Sequence, residues 1–323
     1  MKKILKITGI VLAVVLLAAI AAGTYVKTAL PDVGEAPDLA IEKTAARVER
    51  GKYIANHVSV CMDCHSTRDW NRFTAPLTGN FGGGGEKFSR DLGFPGEFYA
   101  RNITPYALSE WTDGEIFRAI TTGVSKKGNA LFPVMPYHAF GQLDKEDIYS
   151  IIAYLRTLEP VKNDVPEAKA DFPVNILINT MPAKAVLRVK PSESDTLNYG
   201  KYLVTAASCV MCHSKMEKGQ TVAGSEFGGG MEFKIPSGTV RSVNITPDKK
   251  TGLGLWNEET FVKRFKMYAD SGYVPHAIGP KDMNTPMPWT MYAGMKESDL
   301  KAIFSYLQSL PPKDHAVVKF VAN

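Results

Sequence analysis

Cysteine is scarce in this chain: there are four in 323 residues, and all four fall in two copies of one pentapeptide. Acidic side chains are missing from residues 1–27 altogether. Nowhere do apolar and polar residues alternate in a sustained period of two, so the body reads as mainly helical with long loops. A concentrated basic face is also lacking. The formal charge is +5, but Lys2, Lys3, Lys6 and Lys27 flank the N-terminal apolar run and leave 34 basic against 33 acidic residues elsewhere. That balance excludes a nucleic-acid surface, which needs clustered Lys and Arg. The glycine-rich stretches are followed by no Lys-Ser/Thr, which excludes a phosphate-binding loop.

What is present is an ordinary globular composition, 45% hydrophobic and 22% charged, with 27 Gly and 20 Pro that imply many turns. At the N-terminus three lysines precede an uncharged run from Ile7 to Val26. Twenty residues make a helix of about 30 Å, enough to cross a hydrocarbon core. The lysines should stay cytoplasmic and the rest be exported. The competing reading is a cleaved signal peptide, since Ala19-Ile20-Ala21 resembles a small-residue cleavage site. Both export the body.

The rest of the chain is written twice. Gly51-Lys52-Tyr53 returns as Gly200-Lys201-Tyr202, and Cys61-Met62-Asp63-Cys64-His65 as Cys209-Val210-Met211-Cys212-His213. Phe81-Gly82-Gly83-Gly84 aligns with Phe227-Gly228-Gly229-Gly230, and Asn102-Ile103-Thr104-Pro105 with Asn244-Ile245-Thr246-Pro247. Trp111 matches Trp256, and Met135-Pro136-Tyr137 matches Met287-Pro288-Trp289. The step is 148 residues at the first cysteines and 152 at these methionines, a drift explained by small insertions such as Asp248 to Gly254. Each copy ends in an amphipathic stripe: Ile148, Ile151, Ile152, Leu155 and Leu158, then Leu300, Ile303, Phe304, Leu307 and Leu310. Prolines stop both helices. Further helices are expected over Ala45 to Val58 and Leu197 to Ala206.

C-x-x-C-H is the strongest signal. Two thiols at this spacing can form thioethers to one haem, and the adjoining His becomes its proximal ligand. A zinc site fits poorly, because the cysteine pairs lie 148 residues apart in separate copies. A thioredoxin-type pair would need a βαβ pattern. Disulfides would leave the adjacent histidines unexplained. Met135 and Met287 are the candidate distal ligands. Both recur before Pro and an aromatic, and a proline beside the Met stiffens the loop that would hold the thioether. Met283, Met291 and His276 are lesser candidates for the second iron. His57, His138 and His315 have no counterparts and read as surface or structural.

With these motifs in hand, the chain resembles tandem class I-type cytochromes c. More specifically, it resembles the multihaem cytochrome c subunit of membrane-bound alcohol and gluconate dehydrogenases. The likeness runs over residues 46 to 311 and is close in Asn244-Ile-Thr-Pro-Asp-Lys-Lys-Thr-Gly-Leu-Gly-Leu-Trp256. That subunit typically carries three attachment sites; this chain has two.

The resemblance implies an all-α fold of two tandem cytochrome c-like domains with long loops, preceded by one N-terminal transmembrane helix. The expected parts are a membrane or signal segment at 1–27, a tether at 28–45, domain 1 at 46–165, a linker at 166–195 and domain 2 at 196–323. It implies two covalently bound haem c groups, one on Cys61, Cys64, His65 and Met135, the other on Cys209, Cys212, His213 and Met287. The expected role is electron transfer, without catalytic residues of its own, between an extracytoplasmic dehydrogenase and an oxidase or other respiratory acceptor. The expected place is the outer face of the cytoplasmic membrane. The rival is a peroxidase-like di-haem enzyme with one open iron.

Overall fold

The computed structural model describes residues 1–217 and 219–323. The N-terminal apolar run lies within a helix, Lys2–Ala29, long and apolar enough to cross a membrane and largely free of contact with the body. Its C-terminal end is the exception: the Asn179 side-chain amide donates to the Val26 carbonyl at 3.3 Å. Around Asn179, the chain between the two copies forms short helical turns, Val174–Leu177 and Ile178–Thr180, and Phe172, Leu177, Val186 and Val189 face solvent.

In the first copy, helix Ala45–Tyr53 continues as a π-helical segment, Ile54–Val58. Helix Lys145–Leu155 closes that copy. In the second, Thr196–Ala206 and Glu297–Gln308 take the same places. The opening and closing helices of each copy cross where a glycine allows backbone contact. A Cβ on Gly51 would overlap the Ser150 carbonyl, and one on Gly200 the Ala302 carbonyl. The stripes expected from periodicity fill the core, with Ile148, Ile151, Ile152, Leu155, Leu300, Ile303, Phe304 and Leu307 all buried. One continuous apolar cluster joins both copies.

The expectation of an all-α fold is corrected. Short antiparallel sheets lie beside the helices: Lys87–Phe88, Gly96–Tyr99 and Lys169–Ala170 form one, and Glu232–Ile235, Gly238–Arg241 and Phe320–Ala322 another. Their strands are two to four residues long, too short for alternation to register.

The copies face each other through exchanged side chains. Tyr53 donates to Asp299 Oδ2 at 2.6 Å, and Tyr202 donates to Asp147 Oδ2 at 2.7 Å. Each phenol also accepts an amide from the other copy, Lys296 N–H at 3.0 Å and Asp144 N–H at 3.2 Å. The arrangement is a local two-fold built into one chain. His57 also crosses the seam, its Nδ1 lying 2.9 Å from the Met291 carbonyl oxygen.

Candidate functional site: two matching ligand sets

Each C-x-x-C-H folds as one helical turn, Cys61–Cys64 and Cys209–Cys212. The His65 amide donates to the Cys61 carbonyl at 3.0 Å, and His213 to Cys209 at 2.9 Å. A turn of this kind sets the first cysteine and the histidine on one side, four residues apart. The residue before each motif, Val60 or Ser208, is forced into the left-handed region, at φ 45° and 53°. For a β-branched valine that is a real outlier, the kind of strain that gathers at functional sites.

The histidines are oriented identically. His65 Nδ1 lies 2.6 Å from the Arg101 carbonyl oxygen, and His213 Nδ1 lies 2.8 Å from that of Val243. An Nδ1–H donated to a carbonyl fixes the tautomer and leaves Nε2 with a free lone pair. Desolvation pushes both imidazoles below the ordinary histidine range, which favours the neutral, ligating form. Burial also holds the thiols protonated: Cys61, Cys64 and Cys209 are pushed up to about 12 and Cys212 to about 11. All four are free of disulfides, and no group of three potential metal-binding side chains converges among the described residues. Two separate cysteine pairs, each with a single oriented histidine and no third converging ligand among the described residues, suit thioether attachment better than a zinc cage, which needs four ligands.

The carbonyls that hold the histidines sit at the end of the central strands Gly96–Tyr99 and Gly238–Arg241. The glycine-rich loops press on them. The Gly84 amide donates to the His65 carbonyl and the Gly229 amide to that of His213, both at 2.9 Å. A Cβ on Gly84 would strike the backbone at Ala100–Asn102, and one on Gly229 the backbone at Ser242–Asn244. These contacts correct the sequence register by one residue. Gly82, at φ 75°, is the counterpart of Phe227, at φ 63°: Ile103 and Ile245 donate to their respective carbonyls, and Ser66 and Ser214 accept from their amides. The matching Phe81 and Phe227 were a false anchor. The close approach these glycines make is to the backbone behind the histidine.

Asn102 and Asn244 lock the same strand ends. Each Oδ1 accepts from the amide and hydroxyl of the threonine two residues on, and each Nδ2 reaches the tail beyond the closing helix. Arg101 and Arg241 turn outward to Glu167 and Glu232, and Trp111 and Trp256 pack against the core.

Met135-Pro136-Tyr137 and Met287-Pro288-Trp289 are inverse γ-turns. The aromatic amide donates to the Met carbonyl at 2.8 Å in both, around a proline at φ −79°, ψ 52° and φ −82°, ψ 64°. Proline presets φ for this turn, which explains the motif. Both methionines are partly buried against the core. Of the lesser candidates, Met291 lies in the core, Met283 is 42% exposed, and His276 stacks on Phe73 of the first copy. His138 bonds to the backbone of Met181, and His315 Nδ1 lies 2.9 Å from the Gly228 carbonyl oxygen.

The two attachment motifs are neighbours. Tyr292, buried between the copies, donates to the Ala207 carbonyl at 3.1 Å. Burial pushes its phenol well above the ordinary range, and Cys209, Cys212, Asp63 and Cys64 add to the shift. Side chains of both motifs therefore lie within electrostatic reach of one ring.

Two residue groups had no signal in the sequence. One is the pair of histidine-holding carbonyls, which any amino acid can supply, here Arg and Val. The other is Arg68, buried between Asp63 at 2.7 Å and Glu86 at 2.8 Å and lying over Trp70.

Residues 197–311 match the family described as cytochrome c. The chain is 29% identical to the fructose dehydrogenase cytochrome subunit of Gluconobacter japonicus, over 82% of this chain and 53% of that one. It is 26% identical to the gluconate 2-dehydrogenase cytochrome c subunit of Pantoea cypripedii, over 86% and 63%. It is also 26% identical to a diheme cytochrome c-type protein of Cereibacter sphaeroides, over 78% of this chain and 82% of the relative. The chain thus spans little more than half the length of the dehydrogenase subunits it resembles, and most of the diheme protein.

Proposed function

We propose that this chain is a membrane-anchored, two-haem electron carrier. It would take electrons from an exported dehydrogenase and pass them to a respiratory acceptor outside the cytoplasmic membrane. In this reading 46–165 and 196–323 are tandem cytochrome c domains joined by the linker 166–195. Cys61 and Cys64 hold one haem c covalently, with His65 and Met135 as its iron ligands. Cys209, Cys212, His213 and Met287 serve the other. Bound haem would supply the one-electron Fe(II)/Fe(III) couple; ligation by a Met thioether together with His would raise its potential and close the iron to substrates.

The observation that carries this reading is that both copies build the same two devices, a histidine pinned through Nδ1 and a methionine on a proline-centred γ-turn. A peroxidase-like division of labour would need one distal side open, with acid and base groups above it. The proximity of both motifs to Tyr292 supports electron transfer between the haems. The apolar N-terminal helix, and the exposed Phe172 and Leu177 near its outer end, support membrane attachment.

The test is the mass and the ferric absorption and EPR spectra of the purified protein, with Met135→Ala and Met287→Ala alongside. Two haems per chain are expected, both low-spin, with each substitution removing about half of the Met-to-iron charge-transfer band. A high-spin component in the unsubstituted protein that binds peroxide readily would overturn the carrier reading in favour of the enzyme.

A further inference from the structure

The two-fold relation between the copies breaks at the loop that follows the first attachment motif. The first-copy loop around Trp70–Ala75 reaches across the seam and closes on the turn that carries Met287. The Thr74 hydroxyl donates to the Met287 carbonyl at 2.8 Å and accepts the Trp289 amide at 3.1 Å, so one side chain brackets both ends of Met-Pro-Trp. The Thr74 amide donates to Asn284 Oδ1 at 2.9 Å, and Asn284 Nδ2 donates to the Trp70 and Arg72 carbonyls at 3.0 and 3.1 Å. Phe73 donates to the His276 carbonyl and stacks on the His276 ring. Among the described residues, no such clasp from the second copy reaches Met135, whose carbonyl accepts only from Tyr137 in its own turn.

Thr74 and Ala75 are both 1% exposed and both left-handed, at φ 63° and 45°. Two consecutive L-residues in that region, the first β-branched, form an unfavourable backbone that persists only where its surroundings over-determine it. The surroundings here are the Met287 turn and Asn284. At its other end the loop is moored to the first attachment motif, through Arg68 with Asp63 and Glu86 and through the Trp70 indole N–H, which donates to Glu86 at 2.8 Å.

We propose that Thr74 is a positioning residue for Met287, so that the first half of the chain sets the axial ligation of the second haem. The proposal rests on the reading of Met287 as an iron ligand. The clasp fixes the carbonyl and the following amide of the γ-turn, and so limits how far the thioether can swing from the iron. Loosening it should weaken the bond at the second haem and leave the first untouched. A loop that merely cemented the interface would affect both haems alike, or neither.

The experiment compares Thr74→Val, which keeps the shape and removes the hydroxyl, with Thr74→Ser, which keeps the hydroxyl. A third variant, Asn284→Ala, slackens the loop by removing the acceptor of the Thr74 amide while keeping the Thr74 hydroxyl. The full chain is used, with potentiometric titration of both haems and cyanide binding to the ferric protein. Met287→Ala identifies the signals of the second haem. Thr74→Val is expected to lower the potential of that haem alone and to speed its cyanide binding about tenfold, the equivalent of about 1.4 kcal/mol. Thr74→Ser should behave as the unsubstituted protein, and Asn284→Ala should repeat the effect of Val. If Thr74→Val does not mature, Asn284→Ala decides by the same readouts. Unchanged potentials and cyanide rates, or equal changes at both haems, would overturn the clasp. If Met287→Ala leaves the Met-to-iron band intact, the ligand assignment itself falls, a different failure with a different signature.

Discussion

Asp147 is 4% exposed and Asp299 1%, so each carboxylate depends on the few groups that reach it. At Asp147 burial alone would raise the pKa. The two-pronged bond from Arg50, its charge, and the Tyr202 hydroxyl outweigh burial and hold the group below the ordinary carboxylate range. A folded-state pKa below the unfolded value of about 3.9 adds stability that is present above that value and lost as pH falls through the folded one. Unfolding should therefore steepen below about pH 4. Asp147→Asn should flatten that dependence and cost about 2–3 kcal/mol at neutral pH, since Arg50 retains some solvent to fall back on. Denaturant titrations of both proteins across acid pH would check it. Equal pH slopes would mean that another carboxylate governs acid unfolding. Removing the hydroxyl, as in Tyr202→Phe or Tyr53→Phe, should cost about 1–2 kcal/mol each by the same measurement.

For helices and turns, the clearest prediction concerns the crossings at Gly51 and Gly200. A methyl group there meets a carbonyl of the closing helix, and the helices can part only by losing core contact. Gly51→Ala and Gly200→Ala should each lower stability by about 1–3 kcal/mol or more. Gly79→Ala, with nothing within 4 Å of its added carbon, should be near neutral. Thermal melts of the three would show whether the crossing or glycine itself matters.

The four long helices were legible in the sequence, because a 3.6-residue stripe is a signal spread over a dozen positions. The strands were not, because two to four residues carry no period. The glycine-loop register was misread for a related reason. Phenylalanine attracts an alignment, whereas the determinant is a left-handed φ that Gly82 adopts freely and Phe227 adopts under constraint. The tyrosines of Gly-Lys-Tyr were visible as a repeat, but their partners lie across the seam, where no local pattern points.

At the scale of the whole molecule, the proposed attachment to the membrane would rest on the N-terminal helix and the exposed Phe172 and Leu177. Removing residues 1–30 should convert a protein that needs detergent for extraction into a soluble one that still carries its haems. Fractionation with haem staining would check this. A truncated protein that stays with the membrane would show that the linker around Phe172 and Leu177 is the stronger attachment.

The exchange of Tyr53 and Tyr202 has a consequence for origin. When residue i of one unit binds residue j of another, and j binds i in return, the contact has the form of an isologous homodimer interface. Both tyrosines occupy one repeat position and both aspartates another, so a single ancestral copy would have held both halves of the handshake and paired with itself. If the two copies arose by fusion of that ancestor, the two ends became free to diverge. Arg50 supports one aspartate where Tyr199 supports the other, and among the described residues the Thr74 clasp lies on one side only. An interface with the form of symmetric self-recognition would then be the place where one half of the chain acts on the other in a single direction.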